Sequence, residues 1–164
     1  TVSYNVYTAG DYSARTFPSM NKWIDNTRPN RQHTQGQRDY VLMRLADAYL
    51  IRAEARLKQG NSSGAASDIN VIRTRSAWDG KGADMQITAG DVTIYMILEE
   101  RARELIGEGH RWFDLTRTGK LVELTKQHNP TASNIKSHHI VRPIPQDQID
   151  RTSGGYAQNP GYPQ

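Results

Sequence analysis

The chain has 164 residues and a mass of 18.5 kDa, which leaves room for one ordinary domain and is too short for two. Hydrophobic residues make up 36% of it and its mean hydropathy is -0.75. Leu, Ile, Val and Phe together supply only about 18%, a level at which disorder arises when net charge is high. The net charge is only +4, so wholesale disorder is not expected. The absence of cysteine excludes disulfides and thiolate metal sites, and no apolar run is long enough to span a bilayer.

The charge balance is basic, with 21 Lys and Arg against 17 Asp and Glu. Such a balance can indicate nucleic-acid binding, but acids here interleave with arginines at helical spacing. Glu99 with Arg103 and Arg101 with Glu104 are predicted to pair on a helix surface. We therefore expect intramolecular pairing and no nucleic-acid partner.

Residues 1–37 show no sustained periodicity and are predicted to be loop-rich, with a short strand near residues 2–7. The first residues, TVSYNVYTAG, contain neither an initiator Met nor the features of a signal peptide. We therefore expect a mature chain or, preferably, a fragment of a longer one.

A helix hairpin is predicted over residues 40–76. Its first helix, over 40–59, has an apolar stripe at positions that step by three and four residues. The stripe consists of Val41, Leu42, Leu45, Ala46, Tyr49, Leu50, Ala53 and Leu57. Gly60 is predicted to end this helix, and Glu54 and Lys58 to pair on its outer face. Ser62 or Ser63 is the predicted N-cap of the second helix. Alanines on both helices would let them pack closely, as in tetratricopeptide-type pairs.

Further helices are predicted after a loop at 77–87. Thr88 and Asp91 form a capping arrangement at the start of a third helix over 89–106. A short helical piece over 110–118 ends at Gly119, and a weaker helix covers 120–127. Prolines and glycines predict an extended, non-helical segment over 129–164. The expected fold is mainly α, a single domain over 1–164 that is helical over 38–128 and wrapped by long irregular loops.

The densest charged stretch lies between residues 99 and 117. Glu104, Glu108 and Asp114 could supply the paired carboxylates of a glycosidase-like hydrolase. The alternative is structural, because Asp114 has His110 and Arg117 at helical spacing and the three would lock a helix joint. We favour the structural interpretation and predict no catalytic residue.

Metal and cofactor sites are not predicted. His138 and His139 are adjacent, and neighbours on an extended segment point to opposite sides, so they seldom bind one ion. Nucleotide-binding glycine loops and a Gly-x-Ser-x-Gly nucleophile motif are absent from the sequence.

Four aromatic residues are weak candidates for ligand binding by their chemistry alone: Tyr7, Tyr12, Trp23 and Trp78. An exposed indole in a loop can stack on a flat ligand face. The commoner role of such an indole is to anchor its loop to a core.

Four blocks of sequence, taken in order, resemble the C-terminal part of the SusD/RagB family of outer-membrane nutrient-binding lipoproteins. The first block is RLADAYLIRAEA at 44–55, and the second begins with AA at 65–66 and ends with INVIRTR at 69–75. The third is the 100–117 stretch, which contains EGHRWFDL. The fourth is PIPQ at 143–146, followed by Asp150 and by QNPGY at 158–162. The GHRWFDL and PIPQ motifs are specific at this order and distance. The resemblance covers residues 15–162.

This resemblance implies a fragment of an α superhelix built on tetratricopeptide-like pairs. It implies an outward-facing protein of the outer membrane in Bacteroidetes, held by a lipid anchor that this chain lacks, with a TonB-dependent SusC-type porin as partner. The implied function is capture of oligosaccharides or other nutrients for import, without catalysis and without a cofactor. No ligand residue of the family transfers to a position here, since the matched motifs are structural.

Two other functions remain open at this stage. A glycosidase-like enzyme would use the carboxylates of the 99–117 stretch, and a tetratricopeptide-like interaction module would bind a protein. Because one hairpin has too few neighbours to cover both of its sides, we also expect an exposed apolar helix face or pairing with a second copy.

Overall fold

The structure is a computed structural model, and it describes residues 8–13, 17, 20–30 and 32–163. The predicted strand near residues 2–7 and the candidate Tyr7 lie outside these residues. The chain divides into two compact units, one up to Tyr40 and one from Val41 onward.

The described part of the first unit contains two short 3-10 helices, Ala9–Asp11 and Asn21–Trp23. The Asp25 carboxylate organises part of it, since it accepts hydrogen bonds from the Thr27 hydroxyl and from the backbone N–H of Gln37 at 2.9 Å. These bonds and the Thr27 backbone N–H lower the pKa of Asp25 to about 2. A loop with few apolar residues is thus held together by side-chain bonds to its own backbone.

The second unit is helical, and its described residues contain no strand. Its six α-helices are α1 Leu45–Lys58, α2 Ser62–Ser76, α3 Ile94–Glu104, α4 Arg111–Arg117, α5 Leu121–His128 and α6 Gln146–Arg151. Among the described helices, none is long and apolar enough to cross a membrane. The mainly α fold is therefore confirmed.

The core begins with the α1–α2 hairpin. Leu50 and Ala53 of α1 are fully buried with Ala65 and Ile69 of α2, and the small alanines let the helix axes approach closely. Gly60 adopts a φ of 77° between the two helices, a conformation in which glycine carries no steric penalty. The hairpin then packs against α3.

A second apolar cluster lies around α4 and α5. It consists of Leu98, Leu115, Leu121, Leu124 and Ile135, with Trp112 packed at its side. The short helices α4 and α5 therefore bury only a leucine or two each, and α3 links the two clusters.

Several helix boundaries differ from the prediction. The first helix starts at Leu45 rather than at residue 40, so Val41 and Leu42 precede it, and Leu42 is 79% exposed. Leu45 itself is 72% exposed and does not belong to the core face. The apolar residues before Leu45 fit the helical period by coincidence, which a pattern alone could not reveal.

The caps and the later helices also need correction. Asn61, and not a serine, caps α2 by accepting from the Gly64 backbone N–H at 2.8 Å. Thr88 and Asp91 do form a capping box, but around a 3-10 turn that precedes the shorter α3. The predicted extended C-terminal segment contains α6, which begins directly after Pro145, where the proline does not interrupt a helix.

Buried charges complete the core. Arg101 of α3 is 4% exposed, and its guanidinium lies 2.7 Å from Asp47 of α1 and 2.7 Å from Asp114 of α4. The predicted surface pair between Arg101 and Glu104 is therefore wrong. The predicted Glu99–Arg103 pair is confirmed at 2.6 Å.

Glu54 was expected on the outer face of α1 but is buried. Its Oε1 atom contacts both Lys58 at 2.8 Å and Arg117 at 2.6 Å. Burial alone would raise the pKa of Glu54, but the bonds to these two cations outweigh it and hold the pKa below its ordinary value. The buried carboxylates of this polar chain are thus paired with basic side chains, of which Arg101 is buried with them.

Candidate functional site

The described aromatic candidates of the first unit differ in exposure. Tyr12 is 48% exposed. The Trp23 indole is half-buried in a 3-10 helix and stacks on Tyr40, with ring centroids 4.9 Å apart and planes 10° apart. Trp23 therefore has one face covered and anchors its own loop.

Trp78 is the most exposed large apolar side chain of the described residues, at 88%. It lies in the second unit, two residues after α2. Its loop is ordered: the Lys81 N–H donates to the Trp78 carbonyl at 2.9 Å, and Lys81 Nζ lies 2.9 Å from an Asp84 carboxylate oxygen. An indole held in water by an ordered loop is available for stacking.

A groove of about 780 Å³ runs beside α2. One wall is the outer face of α2, where Ser63, Ser67, Asn70 and Thr74 recur at helical spacing. The opposite wall is formed by residues 86–89, among them Gln86 and Ile87. Asn70 joins the walls, because its amide group donates to the Ile87 carbonyl and accepts from the Ile87 N–H, both at 2.9 Å.

The groove is polar and uncharged along most of its length. No hydrogen bond within the described part of the chain occupies the side chains of Ser67, Thr74 or Gln86. Arg75 is the one cation among the lining residues described, and its guanidinium is bound by Glu104 and by the Ser76 hydroxyl. Hydroxyl and amide groups of this kind can exchange hydrogen bonds with hydroxyl groups of a ligand.

The carboxylates that could serve a hydrolase, those of Glu104, Glu108 and Asp114, are bound by arginines. Arg44 donates to both Glu108 oxygens at 2.9 and 3.0 Å and also binds Glu104, which Arg75 contacts as well. Burial would raise the pKa of Glu104, but the two arginines outweigh it and hold the pKa below its ordinary value. A general acid of a hydrolase needs the opposite shift.

Asp114 is likewise part of a helix joint. One oxygen accepts from Arg101 at 2.7 Å and the other from Arg117 at 2.8 Å. The predicted Asp114–Arg117 pair is confirmed, whereas the His110 ring contributes no hydrogen bond to the joint, and its Nε2 atom is buried without a partner in the described chain. Asp114 therefore joins α4 to α3 through Arg101.

Most arginines of the described second unit are engaged within the molecule. Nine arginines of the described second unit contact a carboxylate: Arg44, Arg52, Arg56, Arg73, Arg75, Arg101, Arg103, Arg117 and Arg151. His139 accepts a backbone hydrogen bond from Lys136, and His138 packs edge-on against Tyr162. Across the described ranges, no three His, Asp or Glu side chains are grouped to hold a metal.

Sequence reasoning named Trp78 as a candidate, which is exposed in the structure, but it did not predict the groove. The serines and threonine of α2 resemble an ordinary solvated face, and only the folding of residues 86–89 against Asn70 gives them an opposite wall. The polar i, i+4 spacing of Ser63 and Ser67 was the only signal that the sequence offered.

Comparison with known proteins shows the family to which the chain belongs. The sequence model of the SusD family matches residues 3–162. A SusD-like protein, P25, of Formosa agariphila is 32% identical over 85% of this chain and 29% of its own length. The starch-binding protein SusD of Bacteroides thetaiotaomicron is 33% identical over 88% of this chain and 26% of its own length. The chain thus spans little more than a quarter of these relatives, and within that span it belongs to the SusD family.

Proposed function

We propose that this protein captures oligosaccharides at the bacterial surface without chemically altering them. The observation that carries the proposal is the 88% exposed indole of Trp78, held by an ordered loop in a chain of the SusD family. Sugar rings present an apolar face that stacks on aromatic rings, and their hydroxyl groups pair with polar side chains. Neither interaction requires a cofactor.

The carboxylate geometry supports binding rather than hydrolysis. Glycosidases need one carboxylic acid with a raised pKa and a second carboxylate on the opposite side of the bond. Here Glu104 and Glu108 share the guanidinium of Arg44, and Asp114 lies between two arginines. The lowered pKa of Glu104 is opposite to the shift that a general acid requires.

Titration with a panel of glycans, paired with an assay for released reducing ends, tests this function. We expect heat of binding with at least one neutral oligosaccharide and no new reducing ends. Hydrolysis of any glycan, or no binding by the full chain across the panel, would contradict the proposal.

We further propose that the protein works on the outward face of the outer membrane, held by a lipid anchor elsewhere in the polypeptide, and delivers its ligand to a TonB-dependent SusC-type porin. The relatives' family supports this arrangement. Affinity purification from solubilised outer membranes, followed by mass spectrometry, should recover such a porin in a stoichiometric amount. Recovery of the protein in the soluble fraction, without a porin, would contradict it.

A second function, protein binding, is favoured by the outer face of α1. Leu45 and Ile51 are exposed there, and the exposed Ala48 and Ala55 lie between and after them at helical spacing. Such a stripe is typical of a helix that packs against another helix. If this face binds the porin, hydrogen exchange of α1 in the full-length protein should be slower with the porin than without it. Equal exchange would indicate an ordinary exposed face.

A further inference from the structure

We propose that the groove beside α2 binds a neutral oligosaccharide, with the indole of Trp78 stacking on a sugar unit at the end of the groove. This inference rests on the proposed function and adds its location and the charge class of the ligand. It follows from the shape of the groove, the position of Trp78 and the charges of the lining.

The groove has the dimensions and the free polar groups that a chain of sugars requires. Its volume of about 780 Å³ lies within the range of sites that hold ligands of several rings. Ser67 and Thr74 on one wall and Gln86 on the other face the groove with side chains that have no hydrogen bond in the described structure. Val71 and Ile87 add apolar surface between them. Polar groups on both walls can bind hydroxyl groups on both edges of a sugar ring.

Trp78 is fixed close to the end of this groove. Thr74 and Arg75 line it, and Trp78 follows Arg75 by three residues, so their Cα atoms lie at most about 11 Å apart. The loop folds back on the groove lining, because a side-chain carbon added to Gly82 would lie only 3.1 Å from the methyl group of Thr74. The Ala77 N–H also donates to the Thr74 carbonyl at 3.4 Å. The backbone that carries the indole is therefore fixed near the polar wall.

The charges of the lining select an uncharged ligand. Among the lining residues that the structure describes, Arg75 is the sole charged one, and it is paired with Glu104. A glycan with sulfate or uronate groups would lose hydration in the groove without gaining a free cation. A neutral glycan meets no such cost.

Two variants of the full chain test the inference by isothermal titration calorimetry. Trp78→Ala removes the stacking face, and Ser67→Arg places a long charged side chain inside the groove at an exposed helix position. Gln127→Arg is the matched control, since it adds the same side chain at an exposed position of α5 outside the groove. The neutral probes are maltoheptaose, cellohexaose and mannohexaose, and the anionic probes are oligogalacturonate and heparin-derived oligosaccharides. Circular dichroism should show equal helix content in all four proteins.

We expect both groove variants to weaken binding of a neutral probe at least about tenfold, which corresponds to about 1.4 kcal/mol, while the control binds as the parent does. Neutral binding that survives both substitutions would overturn the groove assignment while leaving the proposed function intact. Tighter binding of an anionic probe would overturn the charge argument. Binding of no probe by the parent chain would overturn the proposed function and the groove together.

Discussion

Replacing Arg101 by Met should destabilise the protein severely. Arg101 is 4% exposed, and it joins three helices through Asp47 on α1 and Asp114 on α4. Methionine retains much of the apolar stem but removes the charge, which strands the carboxylate of Asp47 in the core. Removing one partner of a buried ion pair costs about 3–5 kcal/mol. Asp114 keeps Arg117, so we expect the lower end of that range, about 3 kcal/mol.

The loss can be measured as the free energy of unfolding in urea, followed by far-UV circular dichroism. The free energy of unfolding of natural domains is about 5–15 kcal/mol, so this single change would remove a large share of the stability. Arg103→Met is the control on the same helix, because Arg103 is half-exposed and pairs with Glu99 and Glu100. Exposed pairs contribute about 0–1 kcal/mol, which sets the expected effect of the control.

A double variant distinguishes the cost of leaving the Asp47 carboxylate buried without a partner from the cost of lost packing. Adding Asp47→Asn to Arg101→Met replaces a buried charge by a neutral amide, which should recover at least about 1 kcal/mol. If Arg101→Met costs no more than the Arg103 control, or if the double variant is no more stable than the single one, the reasoning about buried charge is refuted.

Three further predictions concern stability. The pKa of Glu54 is held below its ordinary value, so the stability that its ionised form adds is fully present above about pH 4.5 and is lost as the pH falls through the lowered pKa. Glu54→Gln should therefore flatten the pH dependence of the unfolding free energy between pH 6 and pH 3. An unchanged slope would count against the ion pair with Arg117. Trp78→Ala should change the unfolding free energy by less than about 0.5 kcal/mol, because the indole is exposed, and a larger loss in urea denaturation would mean that it anchors the loop. Leu50→Ala should lower the unfolding free energy by about 2–5 kcal/mol, because Leu50 is fully buried. Leu45→Lys, five residues earlier on the same helix, should change it by less than about 0.5 kcal/mol, because Leu45 is exposed. Equal losses of the two variants in thermal unfolding would contradict the assigned faces of α1.

The apolar period and the glycines predicted the helix order well. The stripe through Leu50 and Ala53 gives α1, and Gly60 ends the first helix of the hairpin because it takes the left-handed conformation there. The exact start of α1 could not be predicted, since the exposed Leu42 satisfies the same period as a core residue. Periodicity records spacing, and burial depends on which elements arrive from elsewhere in the chain.

The burial of charge was harder to predict. Glu54 and Arg101 have the polarity of surface residues, and local spacing assigned each a neighbour on its own helix. Glu54 does contact its predicted neighbour Lys58, but Arg117, which also binds Glu54, and Asp47, which binds Arg101, lie far along the chain. No helical pattern connects these distant pairs. The groove escaped prediction for the same reason, because its second wall is a contact between segments.

The mixed core has a thermodynamic consequence. Among the residues that the structure describes, seven charged ones are buried beside the leucines and isoleucines: Asp47, Glu54, Asp68, Glu100, Arg101, Glu108 and Asp114. Exposing apolar surface raises the heat capacity on unfolding by about 0.45 cal/mol/K per Å², while exposing polar surface lowers it by about 0.26. The heat capacity change of this protein should therefore lie below the usual value of about 12–15 cal/mol/K per residue. Its stability would then vary little with temperature, and cold would weaken it less than it weakens proteins with purely apolar cores.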